Sequence, residues 1–189
     1  MTFTSSTRFA LSSAPPSAEH DLLDVTAHHE AGHAMAAVMR GGSSLRGVTI
    51  DVDRPGHGLT LLRTAPWDTG FMAYAGPWAE ARFVWGNRPL DAHNDNDCTF
   101  SDCVVGVLLH QSDDAAMWGA WHHEPAQESV RQAMADLGMT FAPEEVWDRE
   151  LELVWPEIQT LAQRIRAGES VTDTEVRDLY EATLLDVAN

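Results

Sequence analysis

The sequence contains no lysine, and this absence excludes a large class of nucleotide-dependent enzymes. All 12 basic residues among the 189 are arginines, so the Gly-Lys-Ser/Thr of a nucleotide-binding P-loop is not present. Basic residues are also few beside 29 acidic ones, and the net charge of −17 disfavours binding to nucleic acid or to anionic membranes. Such acidity is typical of a well-solvated protein surface.

Cysteine and long apolar runs are also scarce. Cys98 and Cys103 lie on different faces of a predicted helix, so we expect neither a disulfide nor a cysteine-rich zinc site. No run approaches the roughly 18 apolar residues of a membrane-spanning helix. Residues 1–14 lack the basic and apolar regions of a secretory signal. The sequence therefore predicts a cytoplasmic protein without a membrane span.

The chain is organised as one predicted domain, residues 19–189, after a disordered N-terminal arm over residues 1–18 that is rich in serine and proline. Two segments of β-forming residues, 45–52 and 59–63, are separated by a turn and predict a hairpin. Helical periodicity dominates the rest, and Thr172 and Glu175 have the spacing of a capping box. We expect a mainly α fold with a small antiparallel β-sheet, in the α+β class.

The strongest chemical signal is the pentapeptide His29-Glu30-Ala31-Gly32-His33. It lies in a predicted helix over residues 25–40, where side chains four positions apart share one face. His29 and His33 can therefore share one zinc ion, and Glu30 is placed to accept a proton from a water that zinc activates. Gly32 is unfavourable inside a helix by about 1 kcal/mol relative to alanine, which indicates close packing against a neighbour or access for a ligand. The pattern indicates a zinc-dependent hydrolase.

A catalytic zinc needs a third protein ligand and one open position. The residues downstream offer Glu80 and the acidic run over residues 91–97. Residues 111–125 contain further histidines and tryptophans, but His122 and His123 are adjacent and cannot share one helix face. We therefore expect a loop with partly buried tryptophans there, and no second metal site.

Several segments together resemble the FtsH-type peptidases, the M41 metallopeptidase family. Residues 26–34 resemble the zinc helix of that family, and residues 75–83 are similar to its following Gly-Ala-Glu helix. Asn96-Asp97 resembles the Asn-Asp pair that supplies the third ligand, and residues 155–179 resemble the closing helices. The resemblance extends from about residue 24 to residue 184. It implies a zincin-like HExxH helix within a helical, FtsH-peptidase-like bundle.

The resemblance also assigns roles to the acidic candidates. The ligand aspartate of the family begins a helix with apolar or small residues at fixed positions. The residues that follow Asp97 at these positions fit the pattern, whereas those that follow Asp95 do not. We therefore expect Asp97 as the third ligand and Asp95 as its alternative. The resemblance gives Glu80 the role of orienting a ligand imidazole, with the role of third ligand as the rival.

These expectations describe a standalone zinc metalloendopeptidase in which Glu30 is the general base. Full-length family members join the peptidase to an ATP-driven unfoldase, for which this chain lacks the P-loop lysine. The resemblance therefore implies peptide or unfolded protein substrates, an unfoldase acting in trans, or a homo-oligomeric ring. One alternative is a catalytically inactive, peptidase-like binding or regulatory module. Another is a closed four-ligand zinc site in which His93 or Asp95 fills the open position.

Overall fold

The structure, a computed structural model, describes residues 2–4 and 21–187. These residues form eight α-helices and a three-stranded antiparallel sheet, which confirms the predicted mainly α fold with a small sheet. The strands are β1 Thr2–Thr4, β2 Ser44–Ile50 and β3 Gly58–Arg63; the helices are α1 Leu22–Met39, α2 Thr69–Trp85, α3 Phe100–His110, α4 Ser112–His122, α5 Pro125–Asp136, α6 Glu144–Leu153, α7 Trp155–Arg166 and α8 Asp173–Val187; a 3-10 turn spans Pro66–Asp68. Within these ranges no helix combines the length and the apolar character needed to cross a membrane.

Helix α1 is the centre of the molecule. The Asp21 side chain caps its N-terminus by accepting a hydrogen bond of 2.9 Å from the Leu23 backbone N–H. The helix is buried continuously from Val25 to Val38, and α2, α7, α8 and the sheet pack around it. At Gly32 an added Cβ would lie 2.3 Å from the Ala75 carbonyl oxygen, so the backbones of α1 and α2 are in close contact there. The expected close neighbour of Gly32 is thus α2.

The sheet has the strand order β1-β3-β2 and lies against α1. Strands β2 and β3 form the predicted hairpin, closed by a 2.8 Å hydrogen bond from the Asp51 backbone N–H to the His57 carbonyl oxygen. Strand β1 pairs antiparallel with the other edge of β3, with Thr2 opposite Arg63. Strand β1 lies within the predicted N-terminal arm, whose residues 1 and 5–18 lie outside the described residues.

The C-terminal helices follow the sequence signals closely. Helix α6 ends at Leu153 and α7 begins at Trp155, so Pro156 lies in the first turn of a new helix, where proline is tolerated. Thr172 and Glu175 form the reciprocal capping box at the start of α8: the Thr172 N–H donates to Glu175 Oε2 at 2.9 Å, and the Glu175 N–H donates to Thr172 Oγ1 at 3.3 Å. In α2, Pro77 lies inside the helix.

Most of the segment predicted as a loop, residues 111–125, folds instead into helix α4, Ser112–His122. Asp113 and Asp114 occupy its first turn, where the helix dipole favours negative charge. Trp121 packs against α2 so closely that a Cβ at Gly70 would lie 2.4 Å from the indole Cδ2. Asp114 and Trp121 are seven positions apart and so share one helix face. The packing of Trp121 on α2 therefore turns Asp114 toward the interior, where it is buried.

Candidate metal centre

The two histidines of α1 are held with their Nε2 atoms facing each other. His29 Nδ1 lies 3.0 Å from Glu80 Oε2, and His33 Nδ1 lies 2.8 Å from the Met72 carbonyl oxygen. Both partners are acceptors, so each Nδ1–H donates and each Nε2 keeps its lone pair. The two Nε2 atoms are 3.1 Å apart. Two lone pairs therefore converge on one point of the buried interface between α1 and α2.

Asp114 of α4 completes this cluster. Its Oδ2 lies 3.1 Å from His29 Nε2, and its Oδ1 lies 3.4 Å from His33 Nε2. Apart from these ring contacts, neither carboxylate oxygen has a hydrogen-bond partner among the described residues. The three residues offer ligand atoms within 4.8 Å of one another, and the described part of the chain holds no second group of three that could bind a metal.

The geometry and chemistry of the cluster fit a divalent cation. Two ligands held at about 2.0–2.1 Å from a tetrahedral zinc ion lie about 3.3 Å apart, close to the 3.1–3.4 Å separations observed between these ligand atoms. Gly76 leaves the necessary space, because a Cβ there would lie 2.3 Å from His33 Nε2 and 2.8 Å from His29 Nε2. Two imidazoles and one carboxylate are also a common donor set. The three residues could therefore hold a metal ion.

The electrostatics of the centre favour a positive charge there. Burial disfavours the charged form of His29, but the carboxylates of Asp114 and Glu80 outweigh it and raise the pKa of His29 well above its usual value. Burial likewise opposes ionisation of Asp114, yet His33 and His29 hold its pKa below the usual range. The centre therefore retains an ionised carboxylate, and a proton competes with a cation for the same imidazole lone pairs.

Glu30 lies on α1 beside the first histidine and is fully buried. Burial is the main cause of its raised pKa. Its Oε2 accepts a 2.6 Å hydrogen bond from Thr60 Oγ1, whereas its Oε1 has no hydrogen-bond partner among the described residues. A carboxylate with one oxygen held and the other free is suited to accepting a proton, which is the role predicted for Glu30.

The structure does not bring Asp97, or its alternative Asp95, to the histidines. Both are exposed in a loop organised by the Asn94 side chain, and Asp97 has a φ of 60°. The predicted helix begins three residues later, at Phe100, with Thr99 as its cap. The helix therefore does not begin at Asp97, and the structure brings Asp114 of the next helix to His29 and His33 instead.

Glu80 contacts His29 and is not a member of the group that could hold a metal ion. Its Oε2 contacts His29 Nδ1 at 3.0 Å and accepts a 3.3 Å hydrogen bond from Gln111 Nε2. Gln111 directly precedes α4, so Glu80 connects a ligand imidazole to the start of the helix that carries Asp114. His93, considered as a fourth ligand, is exposed and pairs with Thr99, away from this group.

Comparison of this chain with known protein families, curated proteins and solved structures gives no match. The function must therefore be inferred from the geometry of the centre. Two residues of the centre, Asp114 and Thr60, were not predicted from the sequence. For Asp114 a signal was present, because two aspartates after Ser112 are typical of a first helical turn. Thr60 lies on a different element from Glu30 and offered no local signal.

Proposed function

We propose that this chain is a zinc-dependent metallopeptidase that acts in the cytoplasm on peptides or unfolded proteins. The observation that carries the proposal is the convergence of three buried ligand atoms, from His29, His33 and Asp114, together with the buried carboxylate of Glu30, which follows His29 in the sequence. Two histidines and a carboxylate suit zinc in hydrolases and also suit iron in oxygenases. Glu30 favours zinc, because hydrolysis requires a general base at this position.

The residues of the centre have distinct tasks in this reaction. When bound, zinc supplies a Lewis acid that lowers the pKa of a water to about 7 and polarises the substrate carbonyl. His29, His33 and Asp114 hold the ion, and Glu80 keeps the His29 ring oriented through Nδ1. Glu30 accepts the proton of the attacking water at Oε1 and then donates it to the nitrogen of the leaving amine.

The test compares zinc-loaded wild-type protein with the Glu30→Gln variant on fluorescein-labelled unfolded casein. The variant is expected to keep one zinc ion per chain, measured by inductively coupled plasma mass spectrometry, and to lose about 10²–10⁴-fold in cleavage rate. Glu181→Gln on the exposed face of α8 is the matched control and should cleave as fast as wild type. Equal rates for Glu30→Gln and wild type would refute the role of Glu30.

The substrate class has a separate test. The same protein is offered once folded and once unfolded, and cleavage is followed by gel electrophoresis. Cleavage of the unfolded form alone is the expected result. Efficient cleavage of the folded form would contradict this substrate class. A homo-oligomeric ring and an unfoldase acting in trans remain predictions from the resemblance to the FtsH-type family.

A second candidate function is a catalytically inactive metal-binding or regulatory module. It is favoured by the burial of the centre: His29 and Glu30 are 0% exposed, and Asp114 is 1% exposed. A peptide carbonyl reaches such a centre only if a neighbouring element moves. This candidate predicts a wild-type protein that binds zinc and is stabilised by it but does not cleave unfolded casein. That result would refute the peptidase proposal.

A further inference from the structure

Strand β3 contacts the Glu30 carboxylate through two residues that share one face of the strand. Gly58 and Thr60 are two positions apart, so both project toward the same side. Thr60 is 2% exposed, and its Oγ1–H donates to Glu30 Oε2 at 2.6 Å. At Gly58 an added Cβ would lie 2.3 Å from Glu30 Oε1 and 2.6 Å from its Cδ. The two ends of the carboxylate therefore meet two different neighbours on β3.

The two neighbours make the two carboxylate oxygens unequal. A threonine hydroxyl has one proton to donate, and the contact of Thr60 Oγ1 with the Glu30 carbonyl oxygen, at 3.3 Å, is longer than that with Oε2. Thr60 therefore donates its hydroxyl proton to Oε2 in a hydrogen bond. A hydrogen bond to a charged acceptor is among the stronger ones. Gly58 offers Oε1 no side chain, and Oε1 has no hydrogen-bond partner among the described residues.

We propose that Thr60 and Gly58 are positioning residues for the general base. Thr60 fixes the carboxylate of Glu30 through Oε2, and Gly58 leaves the room that Oε1 needs to accept the proton of the attacking water. This inference rests on the proposed role of Glu30 in peptide hydrolysis. A purely structural role for Thr60, satisfying a buried carboxylate, would change the stability of the fold and leave the turnover of folded protein unchanged.

The first experiment measures kcat and KM of zinc-loaded Thr60→Val, which keeps the shape of the side chain, and Thr60→Ser, which keeps the hydroxyl. The Val variant is expected to lose about ten- to hundredfold in kcat, the effect of one hydrogen bond to a charged group, with KM changed less than about twofold. The Ser variant should recover most of the loss. Gly58→Ala should lower kcat in the same way. Its control is Gly47→Ala on β2, which should leave kcat unchanged because no atom lies within 4 Å of the new Cβ.

The second experiment replaces zinc by cobalt(II) and records the visible absorption of each variant, which depends on the surroundings of the metal and does not require turnover. Thr60→Val and Gly58→Ala should shift the spectrum, whereas Thr60→Ser and Gly47→Ala should match wild type. If Thr60→Val does not fold, Gly58→Ala provides the same comparison from the other oxygen.

The two experiments separate the positioning proposal from the proposed function. If the wild type is inactive and the cobalt(II) spectra of only Thr60→Val and Gly58→Ala differ from that of wild type, peptidase function is refuted and the positioning of Glu30 is supported. If the wild type is active and both variants have its kcat and its spectrum, the positioning proposal is overturned. An inactive wild type with unchanged spectra would overturn both.

Discussion

Replacing Gly76 by alanine places a methyl group where the two ligand nitrogens need open space. The new Cβ would lie 2.3 Å from His33 Nε2 and 2.8 Å from His29 Nε2. Helix α2 cannot easily move away from α1, because α3, α4 and α6 also pack against it. The imidazoles must therefore shift, which turns their Nε2 lone pairs away from each other.

The expected loss of stability has two parts. Without metal, alanine gains about 1 kcal/mol in helix propensity, and overpacking costs about 1–3 kcal/mol, so the net loss is about 0–2 kcal/mol. With free zinc at a thousand times its Kd, binding stabilises the wild-type protein by about 4 kcal/mol, and a variant that cannot bind receives none of this. In excess zinc the variant should therefore be about 4–6 kcal/mol less stable than wild type.

The assay is urea denaturation in zinc and in chelator, together with the zinc content of the purified protein. Gly106→Ala on α3 is the matched control, because its new Cβ meets no atom within 4 Å. It should bind zinc normally and gain about 0.4–1 kcal/mol in stability. A Gly76→Ala protein that holds one zinc ion with wild-type affinity would refute the proposed position of the ion beside the two Nε2 atoms.

Two further predictions concern other residues. Asp114→Asn should lower zinc affinity more than about hundredfold, beyond the usual effect of losing an orienting residue, whereas Asp97→Asn should leave it unchanged; competition with a chromophoric chelator measures both, and the reverse order would exclude Asp114 as a ligand. The hydroxyl of Thr172 and the guanidinium of Arg164 lower the pKa of Glu175 to about 2. This group therefore stabilises the fold above its unfolded pKa of about 4.3 and loses that effect as the pH falls toward about 2. The urea midpoints of wild type and Glu175→Gln should differ at pH 6 and converge near pH 2; equal midpoints at both would contradict the assignment.

The parts of the centre that could be predicted from sequence are those encoded within one helix. His29 and His33 share a face because they are four residues apart, whatever the rest of the chain does. Glu30 follows from the same spacing. The hairpin and the α8 capping box were predictable for the same reason, since turn residues and Thr172-x-x-Glu175 act over a few positions.

The candidate third ligand, Asp114, was not predictable in this way, because its position depends on how α4 packs on α2. The tryptophans and adjacent histidines of residues 111–125 suggested a loop, but Trp121 buries against Gly70 and directs the helix face that carries Asp114. Asp97 was misleading for a local reason: Asn94 organises the preceding loop, and Asp97 takes a left-handed conformation that suits aspartate. The role of Gly76 likewise becomes visible only when α1 and α2 are placed side by side.

Helix α4 carries Asp114 at one end and Trp118 and Trp121 further along, with the Trp147 ring centroid 5.9 Å from that of Trp118 and 5.3 Å from that of Trp121. An ion shared by α1 and α4 would act as a removable cross-link between distant parts of the chain. Its release would loosen the tether of α4 and change the surroundings of these indoles. Intrinsic tryptophan fluorescence would then report occupancy of the centre without any added label.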